Sequence, residues 1–251
     1  MIELTELTKV YGRQTVLNGV SLRIERGGLT SIIGPNGAGK STMLTIIGRL
    51  LRADGGQVTV DGLDVARAPG RVMAQRMSIL RQENRFTTRL TVRDLVSFGR
   101  YPHSQGHLTP TDRSQIEAAL GFLDLGPLAE RYLDELSGGQ RQRAYVAMVL
   151  CQDTEYVLLD EPLNNLDMKH AVAMMRQIRR AADTLGKTVV LVVHDINFAS
   201  AYSDRIIAMR DGEIAHAGPP EAIMTPEILR DVFDLDVQVT EIGGSRIGVY
   251  Y

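Results

Sequence analysis

The sequence lacks the features that mark secreted and membrane-spanning proteins. It contains one cysteine, Cys151, in 251 residues. One cysteine excludes an intrachain disulfide, and its place at the end of an apolar helical run favours a buried side chain over a nucleophile. No apolar stretch approaches the ~20 residues that span a bilayer, and the N-terminus has no signal-peptide pattern. We therefore expect a cytoplasmic chain without direct lipid insertion, whose contact with a membrane passes through partners.

The charges of the chain nearly cancel. Its 28 Lys and Arg residues and 30 Asp and Glu residues give a formal net charge of −2, so there is no electrostatic reason to expect nucleic-acid binding. Hydrophobic residues make up 44 % of the sequence, which is enough to bury a substantial core as one large or two modest domains. The composition therefore indicates a globular protein.

A glycine-rich run with the spacing of a nucleotide P-loop lies between an apolar, strand-like run at 29–33 and a helical pattern at 43–50. Its glycines let the backbone fold around phosphate oxygens without a side-chain clash. We expect Lys40 to reach the β- and γ-phosphates of a nucleotide and the Ser41 hydroxyl to bind Mg²⁺, which prefers oxygen ligands. The alternative is a glycine turn that only caps a helix. The predicted ATP-binding run is Gly34, Pro35, Asn36, Gly37, Ala38, Gly39, Lys40, Ser41 and Thr42.

Two adjacent acids end a short apolar run at 156–159, which is typical of a buried parallel strand. Because ligands in open α/β sheets bind at the carboxyl ends of the strands, we expect both acids to face the nucleotide. Asp160 can hold Mg²⁺ through its water shell, and Glu161 can polarise the water that attacks the γ-phosphate. A solvated Asp-Glu pair is the alternative, since such pairs are common by themselves.

The segment Leu136-Ser137-Gly138-Gly139-Gln140, called the signature segment below, lies between the P-loop and the acidic strand. Together with the P-loop it resembles the signature of the ATP-binding cassette ATPases, whereas a P-loop alone would leave kinases, GTPases and helicases open. Its serine is also a good N-cap for the helix predicted at 142–150. In the family this helix points at ATP held by the other subunit. The resemblance therefore implies cross-subunit ATP binding by Ser137, Gly138, Gly139 and Gln140.

Four further elements align with the family, each of them weak by itself. Tyr11 stands where the family stacks an aromatic ring on adenine, although it can also be a turn aromatic. Gln82 matches the glutamine that touches Mg²⁺ and the attacking water, with a surface glutamine as the alternative. Asn165 and Asp167 match the dimer-contacting loop, and Asp167 can also cap the following helix. His194 resembles the switch histidine that bonds the γ-phosphate, with a core histidine as the alternative.

The order of apolar runs and turns predicts an α/β fold. With the family resemblance, the expected fold is a P-loop NTPase core with a mixed, mainly parallel sheet, an N-terminal antiparallel β part and an inserted α-helical subdomain. We expect a single ATPase domain over 1–251, with its RecA-like core at 1–83 and 153–251. The helical subdomain at 84–152 would carry the signature segment and begin near a capping box of Thr91 and Asp94.

Several positions depart from the general family pattern towards the branch that imports ferric siderophores into bacteria. Met148 stands where most cassettes carry Arg, Leu163 where they carry Thr, and Asn164 and Asn165 where they carry Ser-Ala. These departures spare every predicted functional residue of the hydrolytic site. That set comprises, for catalysis, Lys40, Gln82, Glu161 and His194, and, for Mg²⁺, Ser41, Gln82 and Asp160.

The resemblance implies a functional unit larger than one chain. We expect a head-to-tail homodimer that binds two ATP molecules and drives two integral membrane permease subunits, with a substrate-binding protein as an indirect partner. The predicted location is the inner face of the cell membrane, with the surface around Gln82 and the helical subdomain as docking site. Alternatives are an importer of cobalamin or haem and a soluble cassette of the translation or DNA-repair type. Translation-type cassette proteins usually have two cassettes, and repair-type proteins have a long coiled coil between P-loop and signature. This sequence has one P-loop and no sustained heptads there.

Overall fold

The computed structural model of the chain describes residues 1–82 and 88–250. Within them the strands are β1 Ile2–Tyr11, β2 Gln14–Ile24, β3 Leu29–Ile33, β4 Gly55–Val60, β5 Leu63–Asp64, β6 Met77–Leu80, β7 Tyr156–Asp160, β8 Thr188–Val192, β9 Arg205–Arg210, β10 Glu213–Gly218, β11 Gln238–Ile242 and β12 Ser245–Val249. The helices are α1 Lys40–Ile47, α2 Gly70–Ala74, α3 Val92–Phe98, α4 Tyr101–Ser104, α5 Pro110–Phe122, α6 Gly138–Cys151, α7 Met168–Leu185, α8 Ile196–Tyr202, α9 Pro220–Ile223 and α10 Pro226–Phe233. Two 3₁₀ turns, Gly126–Leu128 and Leu133–Glu135, precede α6.

A six-stranded sheet in the order β10-β9-β3-β8-β7-β6 forms the centre of the fold. Strands β9 and β10 pair antiparallel, and the other neighbours pair parallel. Every residue of β3, β7 and β8 is buried, as expected for a parallel sheet that is covered on both faces. The residues that follow these three strands therefore emerge at one edge of the sheet.

A second sheet, in the order β2-β1-β4-β5, is antiparallel throughout. Its apolar side chains share one buried cluster with α1 and with the central sheet, to which Leu17, Leu44 and Ile207 belong. The mixed central sheet, this antiparallel sheet and the helices between β6 and β7 confirm the predicted fold class.

Helices α3 to α6 lie between β6 and β7, and their apolar faces meet in a second cluster that continues onto the central sheet and includes Leu120 and Leu159. The predicted capping box starts α3: the Asp94 amide donates to Thr91 Oγ1 and the Thr91 amide to Asp94 Oδ2, both at 3.0 Å. The predicted boundary at 83–84 falls on residues outside the described ranges. The division into a core and a helical subdomain therefore stays a prediction.

Two sequence expectations concern the membrane and the cysteine. Within residues 1–82 and 88–250, no helix combines the length and the apolar character that crossing a membrane requires. Cys151 ends α6, is 1 % exposed, and burial raises the pKa of its thiol to about 12. A thiol that is so buried and so weakly acidic is inert as a nucleophile.

A buried ion pair joins α4, α5 and α6. Arg100 Nε donates to Asp112 Oδ1, and Arg100 Nη1 donates to the carbonyl oxygen of Cys151, both at 2.9 Å. The side chains of Arg100 and Asp112 are only 6 % and 5 % exposed. Hydrogen bonds from Thr109, together with the charge of Arg100, lower the pKa of Asp112 to about 2. The carboxylate is therefore charged in the folded protein at neutral pH.

We expect Asp112→Asn to lower the free energy of unfolding by about 3 kcal/mol, because it leaves the charge of Arg100 buried without its partner. Urea denaturation measures the loss. The difference between variant and wild type should shrink as the pH falls from about 4 towards about 2, where the wild-type carboxylate is protonated. Glu130→Gln is the matched control, since it removes a 75 % exposed partner of Arg93 and should cost less than ~1 kcal/mol. Equal losses in the two variants would contradict a structural role for the buried pair.

Candidate active site

The loop between β3 and α1 requires glycine at three positions. Gly34, Gly37 and Gly39 have φ angles of 145°, 84° and 93°, which residues with a side chain rarely adopt. A Cβ on Gly34 would lie 2.2 Å from the carbonyl oxygen of Met209, and one on Gly39 would lie 2.7 Å from that of Val16. The loop therefore packs closely against its neighbours at Gly34 and Gly39. The Ala38 amide donates to the Pro35 carbonyl oxygen at 3.2 Å within the loop, and glycine-rich turns of this kind can direct other amides at an anion.

Lys40 begins α1 and is 5 % exposed. Its Nζ donates to the carbonyl oxygens of Gly34 at 2.8 Å and Pro35 at 2.9 Å, so the ammonium group holds the loop and keeps one of its three donors. Burial lowers the pKa of Lys40, while the charges of Glu161 and Asp160 act in the opposite direction. The N-cap of α1 is a glycine, so the first amides of the helix remain for an anion. These donors fit a nucleotide phosphate.

Ser41 and Asp160 join the first turn of α1 to the end of β7. Ser41 Oγ donates to Asp160 Oδ1 at 2.8 Å. Asp160 is 4 % exposed, and burial raises the pKa of its carboxyl group, with the charge of Glu161 in the same direction and the Ser41 hydrogen bond against it. A hydroxyl and a carboxylate side by side are ligands of the type that Mg²⁺ takes together with substrate phosphates and water. The donor set therefore fits the predicted ion.

The carboxylate of Glu161 brings together two other residues predicted for catalysis, Gln82 and His194. Gln82 Nε2 donates to Glu161 Oε2 at 2.8 Å, and His194 Nε2 lies 2.7 Å from Oε1. Because a carboxylate only accepts, the hydrogen of this second contact sits on His194 Nε2. Asn164 Nδ2 also donates to Oε2. Three donors from three chain segments thus hold one side chain, in a residue that is 9 % exposed.

The backbone of Glu161 is strained where it leaves β7. Its φ of 50° lies in the left-handed region, which costs a non-glycine residue roughly 1–2 kcal/mol. The Glu161 amide donates to the carbonyl oxygen of Val192 at 3.2 Å, which holds the turn against β8. His194 follows β8 and its side chain is 45 % exposed, so the alternative of a core histidine is wrong.

The signature segment forms the N-cap and first turn of α6. The Gln140 amide donates to Ser137 Oγ at 3.3 Å, and the Ser137 amide donates to Gln140 Oε1 at 3.0 Å. The Ser137 hydroxyl therefore accepts in the cap and keeps its own hydrogen for another acceptor. Ser137 and Gly138 are exposed. The segment thus presents a hydroxyl donor and a helix N-terminus, which are groups that bind anions.

Residues 164–167, called the dimer loop below, lead from the turn after β7 into α7. Asn165 is exposed, with a φ of 62°. Asp167 caps α7: its Oδ1 accepts from the His170 amide at 2.8 Å and lies 2.7 Å from His170 Nδ1. Asp167 is therefore a helix cap, and contact of this loop with a second chain stays a prediction.

Tyr11 ends β1 at the turn into β2. It is 49 % exposed, and the Lys9 ammonium lies 5.5 Å from its ring centroid. An exposed ring at this edge can stack on a base. Its surroundings are equally those of a turn aromatic, so its contact with adenine stays a prediction.

Sequence reasoning missed two contacts of the site, that of Asn164 with Glu161 and that of His170 with Gly139. The sequence places Asn164 in the dimer loop and marks it as a departure from the serine of most cassettes, but gives no sign of its contact with Glu161. Its direction depends on the left-handed turn at Glu161, which has no local sequence signal. His170 carried no signal at all, because its partner belongs to a different helix.

The glycine loop, the buried acid at the end of β7 and the donors gathered on the next carboxylate define a P-loop nucleotide hydrolase. A comparison with known protein families identifies which one. Residues 17–164 match the family described as ABC transporter, and the chain belongs to that family.

Similar proteins extend this likeness over the whole chain. The petrobactin import ATP-binding protein YclP of Bacillus subtilis (strain 168) is 49 % identical over 251 residues, 100 % of each chain. The petrobactin import ATP-binding protein FatE of Bacillus anthracis is 53 % identical over 250 residues, again 100 % of each. The iron(3+)-hydroxamate import ATP-binding protein FhuC of Bacillus subtilis (strain 168) is 38 % identical over 231 residues, 91 % of this chain and 86 % of the relative.

Solved structures show the same fold. The dimeric, post-hydrolysis state of the ATP-binding cassette MJ0796 bound to ADP and Pi matches with a TM-score of 0.79 and 31 % identity, covering 88 % of this chain and 99 % of that one. An inward-facing, putative metal-chelate type ABC transporter matches with a TM-score of 0.84 over 99 % and 97 % of the chains, and at 24 % identity this likeness concerns the fold alone. The chain is thus an ATP-binding ATPase of the ABC family, as the sequence predicts.

We expect Gly34→Ala to weaken ATP binding about tenfold or more, because the added methyl group would meet the Met209 carbonyl oxygen and displace the loop. Titration with a fluorescent ATP analogue measures the affinity. The control is Gly186→Ala at the C-cap of α7, where φ is 62° and the space around a Cβ is open. That variant should lose only ~1 kcal/mol of stability and keep its ATP affinity. An unchanged affinity in Gly34→Ala would show that this glycine does not shape the nucleotide site.

Proposed function

We propose that this chain is the ATP-hydrolysing subunit of an importer for ferric siderophores, in which two copies work head to tail on two membrane permease subunits. The observation that carries hydrolysis is the Glu161 carboxylate, held by Gln82, Asn164 and His194 next to Asp160. Support for the cargo comes from the relatives at 49 % and 53 % identity, both named petrobactin import ATP-binding proteins.

The P-loop is the part of the chain that would hold ATP. Lys40 Nζ has one donor left after its two bonds to loop carbonyls and would give it to the β- and γ-phosphates. The first amides of α1, which no side chain caps, and the positive end of the helix dipole would face the same charge. Tyr11 would stack on the adenine base.

Ser41 and Asp160 would hold Mg²⁺, with Gln82 as a further ligand. Their hydroxyl, carboxylate and amide oxygens match the preference of this ion. When bound, Mg²⁺ neutralises charge on the phosphate oxygens. Burial raises the pKa of Asp160, and a neighbouring cation would favour its charged form again.

Glu161 would act as the general base. A carboxylate offers about four acceptor sites, and the donors of Gln82, Asn164 and His194 take three of them. The remaining site can accept a hydrogen bond from a water and then its proton as that water attacks the γ-phosphate. Because the donors fix the direction of the carboxylate in advance, this step needs little reorganisation of the site.

The signature segment would bind the γ-phosphate of the ATP held by the second copy. Ser137 can donate its hydroxyl hydrogen while it caps α6, and the Gly139 amide and the helix dipole add positive charge. The two copies would be related by a two-fold axis, so each site would combine one P-loop with the other signature segment. ATP would then bind the copies together, and hydrolysis would remove these contacts and let the dimer open.

Opening and closing would drive two integral membrane permease subunits, which receive cargo from a substrate-binding protein. The chain would act at the cytoplasmic face of the membrane, without nucleic acid and without entering the lipid. Its docking site would be the surface around Gln82 and helices α3 to α6. Met148, Leu163 and the two asparagines of 164–165 favour the siderophore branch among importers.

We expect Glu161→Gln to slow ATP hydrolysis about a hundredfold or more, because the amide keeps the shape of the carboxylate but cannot take up the proton. ATP binding should persist, and ATP should trap the variant as a dimer. Phosphate release and light scattering after size exclusion measure the two effects. Brisk phosphate release by the variant would exclude Glu161 as the base.

Glu155→Gln, which changes an acid just before β7, is the control for this variant and should keep normal turnover. In cells, a strain without the gene should recover uptake of a labelled ferric siderophore with the wild type and with Glu155→Gln, but not with Glu161→Gln. The tagged wild type should co-purify with two integral membrane proteins. Association with ribosomes or DNA instead would contradict the transport function.

We expect Ser137→Arg to lower ATP hydrolysis about a hundredfold, because the long side chain would fill the place of the partner's phosphate. Nucleotide affinity of the monomer should stay near normal, since the P-loop is untouched. Ser114→Arg, an equal change at an exposed position of α5, is the control. If monomer affinity for ATP collapses in Ser137→Arg, the cross-subunit role of the segment is wrong.

A further inference from the structure

The first turn of α6 rests on the first turn of α7 in the same chain. A Cβ built on Gly139 would lie 2.9 Å from Cδ2 and 3.0 Å from Cγ of His170, so the imidazole ring packs directly on the backbone of the signature segment. A Cβ on Gly138 would lie 3.7 Å from the carbonyl oxygen of Asn165 in the dimer loop. The N-terminus of α6 is therefore supported by α7 and by the loop that precedes it.

Asp167 fixes the ring that provides this support. As the N-cap of α7, Asp167 accepts a hydrogen bond at Oδ1 from the backbone amide of His170 at 2.8 Å. The same Oδ1 lies 2.7 Å from Nδ1 of His170. One carboxylate thus holds both the backbone and the side chain of His170. Although the side chain is 44 % exposed, its ring is not free to turn away. The ring therefore sets the distance between the start of α7 and the signature segment.

We propose that His170 is a positioning residue that sets the place of the α6 N-terminus, so that Ser137 and Gly139 can reach the phosphate of the second copy. The proposal rests on the proposed function, because it concerns the cross-subunit contact. His170 would touch neither ATP nor the partner for this purpose. It would act through the Gly139 backbone alone.

The proposed contact with the phosphate of the second copy is sensitive to the position of α6. Hydrogen bonds from Ser137 Oγ and the first amides of α6 weaken when the donor–acceptor distance grows by a few tenths of an ångström. The capping box of Ser137 and Gln140 orders this turn internally. Its position against the rest of the chain depends on outside contacts, of which Arg141 Nε to the Leu133 carbonyl oxygen, at 3.0 Å, lies one residue beyond the segment. Loss of the ring would leave space next to Gly139, and the first turn of α6 could then move towards α7.

Three substitutions separate ring packing from the hydrogen bond to Asp167. His170→Phe keeps a flat ring against Gly139 without the bond, His170→Asn keeps a donor near the position of Nδ1 without the ring, and His170→Ala removes both. Each is made together with Glu161→Gln, which holds the ATP-bound dimer. Arg176→Ala, at an exposed position of α7, is the matched control.

Light scattering gives the ATP concentration at which half of the protein is dimeric, and a fluorescent analogue gives the nucleotide affinity of the monomer. We expect His170→Ala and His170→Asn to raise the ATP concentration of half-dimerisation about tenfold. His170→Phe should bring it back most of the way to the value of Glu161→Gln alone. Monomer affinity and melting temperature should match those of Arg176→Ala. This split between dimerisation and monomer binding would not follow from a general loss of folding.

Unchanged dimerisation in His170→Ala would overturn the inference while leaving the proposed function standing. So would recovery by His170→Asn in place of His170→Phe, or a fall in monomer affinity of the same size as the loss of dimerisation. If Glu161→Gln alone formed no ATP-dependent dimer, the proposed function would fail, and this inference would fail with it.

Discussion

The parallel pairing of β3, β8 and β7 is the constraint on which the active site depends. Ile32 and Asp160 both pair with Val192, so the residues that follow the three strands leave the sheet at the same level. The P-loop, the two acids and His194 arrive there from chain positions far apart. A slip of one residue in β7 would turn Asp160 to the opposite face of the sheet. Strand register, rather than any single side chain, therefore brings the residues of the candidate site together.

Features with a local cause could be predicted from the sequence. The P-loop needs glycine because there is no room for a Cβ at Gly34 and Gly39. Capping residues such as Thr91 and Ser137 mark helix starts by bonding to amides three residues away. Continuous apolar runs likewise identify strands that are buried on both faces. These signals lie within a few residues of the structure that they specify, which explains why the fold class and the glycine loop could be read from the chain.

The contacts of Asn164 and His170 could not be predicted in the same way. Asn164 reaches the Glu161 carboxylate across a short turn that begins at Glu161, whose own backbone is left-handed. His170 meets Gly139 because two helix starts are packed together, and neither helix encodes the other's place. The first contact depends on a backbone conformation and the second on tertiary packing, and periodicity and spacing indicate neither.

Ser137 shows why this position suits a hydroxyl. Its oxygen accepts from the Gln140 amide as a helix cap, and its hydrogen stays available for a second acceptor. An aspartate would cap the helix equally well, but it would place a negative charge where we propose that the phosphate of the second copy binds. An alanine would lose both the cap and the donor. Only a residue that accepts and donates at one atom serves the fold and the site together.

The left-handed backbone of Glu161 has a consequence for how this position can change. Glycine would adopt the same φ without strain, so it would relax the backbone at the end of β7. It would also remove the carboxylate and leave the donors of Gln82 and His194 without their acceptor. With Glu161 as the proposed base, backbone stability and nucleotide turnover would make opposite demands at one residue. Selection for backbone stability alone would therefore favour loss of the proposed base.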